Sequence, residues 1–136
     1  MNKNYIDKIA FIFIKDKKVL TTLSKGKNAW YIPGGKREAG EKDKETLIRE
    51  VKEELSVDIN SETIKYYGTF EAQAQGKPKG VKVRMTCYTA DFEGVFKPNN
   101  EIAKIDFFDT STQEILSPVD YLIFADLKRK RKKLIE

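Results

Sequence analysis

The hydrophobic and polar positions along the chain follow two spacings, one typical of strands and one typical of helices. The segment KIAFIFIKD is apolar on both alternating faces, which predicts a central strand covered on both sides, and KKVLTTLSK follows as a second strand. A helix is expected from about residue 43, with Asp43 as its N-cap, to about residue 56. Its buried stripe comprises Leu47, Ile48, Val51 and Leu55.

The second half of the chain predicts a hairpin, a short strand and a closing helix. Strands at about residues 63–74 and 81–92 are joined by QGKPKG, a typical hairpin loop. A strand at residues 102–109 follows, and SPVDYLIFADLKRKRKKL predicts a helix with Pro118 in its first turn. No repeat or linker interrupts the chain. We therefore expect one domain over residues 1–136, built as an α/β or α+β sandwich.

Two predicted faces of the hairpin are polar. Alternation places Lys82, Arg84 and Thr86 on one face of the second strand, and Tyr67, Thr69, Glu71 and Gln73 on one face of the first. Such surfaces either face solvent or line a pocket, and the pattern does not distinguish the two.

The charge of the chain is concentrated at its end. The net charge is +5, from 26 basic and 21 acidic residues, but KRKRKK at residues 128–133 supplies six positive charges, and without them the formal charge is −1. The basic end, residues 128–136, is interpreted as a solvated last helical turn or as a contact for a polyanion such as RNA. A DNA-binding surface spread over the fold is not expected.

Residue usage limits the possible chemistry. The chain has no histidine, which excludes imidazole bases, histidine-ligated zinc and Ser-His-Asp triads. The single Cys87 lies in an apolar strand and is interpreted as a buried structural thiol in a reducing cytoplasm. The apolar run IAFIFI is too short to cross a membrane, so a cytoplasmic protein without membrane contact is expected.

The segment REVKEEL places three glutamates on the predicted helix. Glu50 lies beside both Glu53 and Glu54, while only Glu53 has a cation, Arg49, at helical spacing. Oxygen donors without His or Cys suit magnesium or manganese, and the neighbouring WYIPGG loop favours phosphate chemistry. The alternative is an ordinary solvated acidic face.

The spacing around this helix resembles the Nudix box, G-x5-E-x7-R-E-U-x-E-E-x-G-U, in which U is apolar. The match starts at Gly35, passes through Glu41 and ends at Val57, and WYIPGG resembles the usual lead-in of the family. Ser56 replaces the last glycine, which ends the helix and is not a ligand. The resemblance implies the Nudix fold, an α/β/α sandwich of the α+β class whose mixed central sheet carries the box helix and the C-terminal helix.

The resemblance also implies a set of catalytic residues. Glu50, Glu53 and Glu54 would bind Mg²⁺, with Mn²⁺ as a possible substitute, together with the main-chain carbonyl of Gly34. Arg49 and Glu41 would form a supporting salt bridge. The general base that activates water would be Glu101 or, as the second choice, Glu50. Lys36 would pair with a substrate phosphate.

The closing helix resembles that of Nudix enzymes that clear oxidised purine nucleoside triphosphates. This implies hydrolysis of a nucleotide such as 8-oxo-dGTP to the monophosphate and pyrophosphate. Asp120 would recognise the edge of the purine base, or its role would be only structural. Arg84 would contact the base or a phosphate. Trp30 or Tyr31 would stack on the base or serve only for packing.

Several alternatives stay open from the sequence. The substrate could be a nucleotide sugar, ADP-ribose or capped RNA, and a non-catalytic Nudix protein could bind RNA through the basic end. The protein is expected to be a monomer or a homodimer.

Overall fold

The computed structural model describes residues 5–109 and 116–130. Within these ranges the strands are β1 (Tyr5–Phe11), β2 (Ile14–Lys15), β3 (Lys18–Ser24), β4 (Gly34–Gly35), β5 (Asp58–Ile59), β6 (Lys65–Gln73), β7 (Lys82–Thr89), β8 (Phe92–Glu93) and β9 (Ile102–Phe108). The α-helices are α1 (Asp43–Leu55) and α2 (Pro118–Lys130), and a short 3₁₀ helix covers Ser61–Thr63.

The largest sheet is mixed and has the strand order β4-β1-β7-β6. Strand β1 runs parallel to β7, while the other neighbours in this sheet are antiparallel. A second sheet, β2-β3-β9, is antiparallel, and β5 pairs with β8. The predicted central position of the first strand is confirmed: Ile9 and Phe11 pack in the core under α1, whereas Ala10 and Ile12 pack in the core under α2. The α+β architecture, with helices on both faces of a mixed sheet, is as predicted.

Helix α1 begins at Asp43, but its N-cap is Lys42 and not Asp43 as predicted. The Glu45 carboxylate accepts the Lys42 main-chain N–H at 2.8 Å. Asp43 instead accepts hydrogen bonds from Arg37 and Tyr88, both at 2.6 Å, so tertiary contacts use the side chain that local capping would have used.

Two strand predictions needed correction. The run IAFIFI is not one strand, because β1 ends at Phe11 and the chain resumes as β2, which pairs with β3. In β6, a bulge between Tyr66 and Gly68 reverses the alternation. Tyr67 therefore packs beside Phe70 under α2 and donates a hydrogen bond to Asp126 at 2.8 Å, rather than sharing a face with Thr69.

Helix α2 starts with Pro118 in its first turn, as predicted, and packs on β6 and β7. Its buried side chains include Val119, Ile123, Phe124 and Leu127. No helix in residues 5–109 and 116–130 is long and apolar enough to cross a membrane. Most of the predicted basic end, from residue 131 onwards, lies outside the described residues.

Candidate active site

A cavity of about 470 Å³ opens between the Gly34–Gly35 strand, α1, β1, β7 and the start of α2. Five of the side chains and main-chain groups predicted for the site line it: Gly34, Lys36, Glu50, Glu54 and Glu101. Although these residues come from β4, the following loop, α1 and the segment before β9, the structure brings them to one cavity. Arg49, Glu53, Arg84 and Asp120 do not line it.

The glycine pair lets the main chain pass close to the helix carboxylates. A Cβ atom on Gly34, whose φ is +153°, would lie 1.9 Å from the main-chain oxygen of Ile9. A Cβ on Gly35 would lie 2.3 Å from the carboxyl carbon of Glu50. Only glycine fits between β1 and α1 at these positions, so the β4 main chain forms one wall of the carboxylate site.

Glu54 is a buried carboxylic acid at the base of this site. Its side chain is only slightly exposed, and its Oε1 accepts the Gly34 N–H at 3.2 Å. Burial, followed by the negative charge of Glu50, raises the pKa of Glu54 to about 8, against the lowering effect of the Gly34 N–H. Burial likewise raises the pKa of Glu50, and the charge of Glu101 acts on both glutamates in the same direction. The three carboxylates are therefore close enough to repel one another.

Arg49 lies behind the carboxylates and contacts several groups at once. Its guanidinium donates to Glu41 at 2.6 Å, to Glu50 at 3.0 Å, to Glu53 at 3.2 Å and to the Lys36 carbonyl at 3.0 Å. The hydrogen bond from Arg49 lowers the pKa of Glu41 to about 2. Helical neighbours three and four apart left Glu50 without a predicted cation. The structure supplies one, because Arg49, the residue directly before Glu50, contacts it at 3.0 Å.

Asp120 lies behind the cavity wall. Its side chain is fully buried, and its oxygens accept the Ile32 N–H at 3.2 Å and the Ser117 hydroxyl at 2.5 Å. Burial raises the pKa of Asp120 to about 7, although both hydrogen bonds oppose the rise. These contacts fix the start of α2 to the segment that leads into the glycine pair.

Arg84 is on the other face of the sheet from the cavity. Its neighbours Val83 and Met85 line the cavity, so the alternation of β7 turns Arg84 away from it. There its guanidinium donates to Glu71 at 2.6 Å and lies 4.1 Å from the ring centroid of Tyr5.

The two aromatic candidates have different positions. Tyr31 lines the cavity. Trp30 packs edge-on against Phe108, with ring centroids 5.0 Å apart, and belongs to the core side of the segment.

The family model for the NUDIX domain matches residues 7–127, which is most of the chain. The chain belongs to the Nudix family. Among solved structures, a putative Nudix hydrolase family member from Chromobacterium violaceum is 26% identical, with a TM-score of 0.73, covering 96% of this chain and 81% of that one. The E. coli ORF135 protein is 22% identical with a TM-score of 0.73, covering 95% and 92%. A MutT NUDIX hydrolase from Burkholderia pseudomallei is 16% identical with a TM-score of 0.74, covering 89% and 96%. A comparison with curated protein sequences gave no match.

The protein is thus a Nudix hydrolase, an enzyme of a family that generally uses divalent metals and acts on small nucleotide substrates. Among residues 5–109 and 116–130, no three carboxylate or thiol side chains are arranged to hold a metal ion. Arg49 engages Glu50 and Glu53, and the Gly34 N–H engages Glu54. The donor chemistry nevertheless fits a hard dication. All donors are oxygens, and the buried Glu54 carries a raised pKa that a neighbouring positive charge would relieve.

The departure from the Nudix box at Ser56 has a visible structural consequence. Ser56 ends α1 in the left-handed conformation, with φ of 65°, and its hydroxyl donates to the Lys97 carbonyl at 3.1 Å. The same segment caps the helix end, since the N–H groups of Lys97 and Asn99 donate to the carbonyls of Leu55 and Glu54 at 2.9 and 3.1 Å. The segment that precedes Glu101 is thereby tied to the helix that carries Glu50 and Glu54.

Three lysines that line the cavity were not predicted from the sequence: Lys27, Lys77 and, on the central strand, Lys8. Lys8 lies on β1 between Asp7 and the core residue Ile9, and it lines the cavity together with Ile6. The available signal was a lysine at the start of an otherwise apolar central strand, where a charge facing the layer under α2 requires a reason.

Proposed function

We propose that this Nudix hydrolase is a metal-dependent nucleotide pyrophosphohydrolase. Its reaction is the cleavage of a nucleoside triphosphate, with an oxidised purine nucleotide such as 8-oxo-dGTP as the candidate, to the monophosphate and pyrophosphate. One observation carries the proposal: Glu50, Glu54 and Glu101 face a single cavity beside the main chain of the glycine pair. An all-carboxylate site of this kind is suited to phosphoryl chemistry with a hard dication.

The proposed metal ligands are Glu50, Glu53, Glu54 and the carbonyl of Gly34, with Mg²⁺ as the cofactor and Mn²⁺ as a substitute. When bound, the ion supplies a more acidic water and shields charge on the phosphoryl oxygens. Glu53 lies at the solvent edge, with its side chain 45% exposed, while Glu50 and Glu54 are largely buried. Arg49 and Glu41 support this set from behind, since Arg49 spans Glu41 and two of the proposed ligands.

The proposed general base is Glu101, which accepts the proton of the attacking water. It lines the cavity with Glu50 and Glu54 and comes from a segment tied to the end of α1. Glu50 is the second choice, because its Oε2 already accepts a hydrogen bond from Arg49. Lys36 follows the glycine pair and lines the same cavity, where its ammonium can pair with a substrate phosphate.

The substrate assignment rests on the resemblance of the closing helix and on the size of the cavity. In this proposal Asp120 acts on the base through the groups that it holds, Ser117 and the Ile32 main chain, since its own oxygens are buried. Arg84 is not part of the proposed site, because it faces the opposite side of the sheet. A cytoplasmic location belongs to the proposal as well, in keeping with a buried, unpaired Cys87.

The proposal is tested by measuring release of pyrophosphate and phosphate from a nucleotide panel with magnesium. The panel contains 8-oxo-dGTP, dGTP, ADP-ribose and diadenosine tetraphosphate. Turnover of the purine triphosphates is expected, and it should be lost with EDTA and in Glu53→Gln. Glu62→Gln, which removes an exposed acid that does not line the cavity, is the matched control and should keep full activity. Full activity in Glu53→Gln would contradict the ligand set, and selective turnover of ADP-ribose or the dinucleotide would contradict the substrate.

A further inference from the structure

Lys8 is a charged side chain of the cavity that does not belong to the Nudix box. It projects from β1, and its ammonium nitrogen lies 5.5 Å from the ring centroid of Tyr31. Four neighbouring charges act on it: those of Asp120, Glu54 and Glu50 favour its charged form, and that of Lys36 opposes it, with Asp120 the strongest of the four. The ammonium is partly removed from water, and this burial lowers the pKa of Lys8.

One side of the cavity next to Lys8 is apolar. Because β1 and β7 run parallel in register, Lys8 pairs with Met85 and Ile6 pairs with Val83. All four residues line the cavity, and Val119 from the start of α2 lines it as well. The flat faces of a nucleobase can pack against such a wall.

A lysine ammonium can only donate hydrogen bonds. It therefore satisfies a carbonyl oxygen on a ligand but leaves an amino group at the same position facing another donor. Mismatches of this kind cost more than the loss of an ordinary contact, because a buried donor is left unpaired. Asp120 has a fixed position near Lys8, because its oxygens accept the Ile32 N–H and the Ser117 hydroxyl.

We propose that Lys8 is a specificity-determining residue that donates a hydrogen bond to the carbonyl oxygen of a keto nucleobase, and so selects keto bases over their amino counterparts. This inference rests on the proposed function, because it requires a nucleotide in the cavity. It extends that function by naming the chemical feature of the base that the site recognises, the keto oxygen.

The test uses two pairs of nucleotides that differ at the keto or amino position, ITP with ATP and UTP with CTP. For each pair, kcat/KM is measured with magnesium. The Kd values of IMP and AMP are measured by calorimetry without metal, which reports on base recognition independently of turnover. The wild-type protein is expected to favour the keto member by on the order of 10-fold or more in both measurements, the range for a hydrogen bond to a charged group.

Three variants assign the preference to the Lys8 ammonium. Lys8→Met keeps the length of the side chain but removes the donor, and its keto-to-amino ratio should fall to about 1. Lys8→Arg keeps a charged donor and should retain a preference for the keto base. Lys27→Met is the matched control, because it removes an exposed lysine from the same cavity and should leave the ratio unchanged.

The outcomes separate this inference from the proposed function. Equal loss of kcat/KM on all four triphosphates in Lys8→Met would place the ammonium on phosphate or near the metal glutamates and overturn the inference. Hydrolysis of triphosphates without any keto preference in the wild-type protein would also overturn it, while leaving the proposed function intact. A keto preference in the Kd values without any hydrolysis would remove the proposed function alone. Failure to bind either monophosphate, with no hydrolysis, would overturn both.

Discussion

Replacement of Glu54 by glutamine is expected to stabilise the metal-free protein while abolishing its activity. The pKa of Glu54 is raised from 4.5 to about 8 in the folded state, so folding at neutral pH requires this group to take up a proton or to stay ionised where burial disfavours the charge. At about 1.4 kcal/mol per pKa unit, the cost at pH 7 is about 3 kcal/mol. Glutamine removes this cost, and its amide oxygen can still accept the Gly34 N–H.

The pH dependence has a defined sign. Because the folded pKa of Glu54 lies above its unfolded value, the contribution of this group to stability is fully present below pH 4.5 and is lost as the pH rises to about 8. The stability difference between Glu54→Gln and the wild-type protein should therefore be near zero in acid. It should grow through neutral pH and level off above about pH 8.

The assay is urea unfolding in EDTA at several pH values, with the exposed-acid variant Glu62→Gln as the control. Addition of magnesium should raise the free energy of unfolding of the wild-type protein, since an ion that binds only the folded state stabilises it, and should raise that of Glu54→Gln less. A Glu54→Gln protein that is less stable than wild type without metal, or whose advantage is the same at every pH, would refute the reasoning. Full turnover in the variant would refute the ligand assignment.

Three further predictions concern groups around the carboxylate site. Asp120→Asn should make stability less dependent on pH. The pKa of Asp120 is about 7 in the folded protein against the ordinary value of 3.8, so the wild-type protein should lose up to about 4 kcal/mol of stability as the pH rises between these values. Urea unfolding of both proteins at the two ends of this pH range measures the difference. Arg49→Lys should lower kcat by roughly 10- to 100-fold, because a lysine cannot donate to Glu41, Glu50 and Glu53 together. An unchanged kcat would exclude a positioning role for Arg49. Ser56→Gly should stabilise the protein by less than about 1 kcal/mol, because glycine adopts the left-handed conformation without strain and this gain exceeds the loss of the exposed hydroxyl hydrogen bond. Ser56→Ala should destabilise the protein, because it keeps the strain and loses the hydrogen bond. The opposite order of stabilities in urea unfolding would contradict this prediction.

The main elements of the fold were predictable because their signals are local. Helical spacing of Leu47, Val51 and Leu55 marked α1, and all three side chains are fully buried. The two-sided apolar pattern marked β1 as central. The errors arose where a tertiary contact overrode a local rule: Asp43 bonds to Arg37 and Tyr88 instead of capping its helix, and a bulge turns Tyr67 towards α2.

The site was predicted unevenly for the same reason. The spacing of the Nudix box placed Glu50 and Glu54 in one cluster, and Glu101 lines the same cavity, while its role as general base stays a prediction. The sequence could not predict whether Arg84 lines the pocket. Alternation shows which residues share a face of the strand, but it does not show which face the cavity occupies.

By itself, the sequence determined the family and the helix that carries the clustered glutamates, since these follow from residue type and from spacing within one segment. Only the tertiary structure decided that Glu54 is buried against Gly34, that Arg49 donates hydrogen bonds to three carboxylates, and that Lys8 faces the cavity near Asp120. The physical reason is distance. Desolvation and charge pairing act over a few ångströms, and the partners are brought together by folding from positions as far apart as Ile32 and Asp120, which are separated by 88 residues.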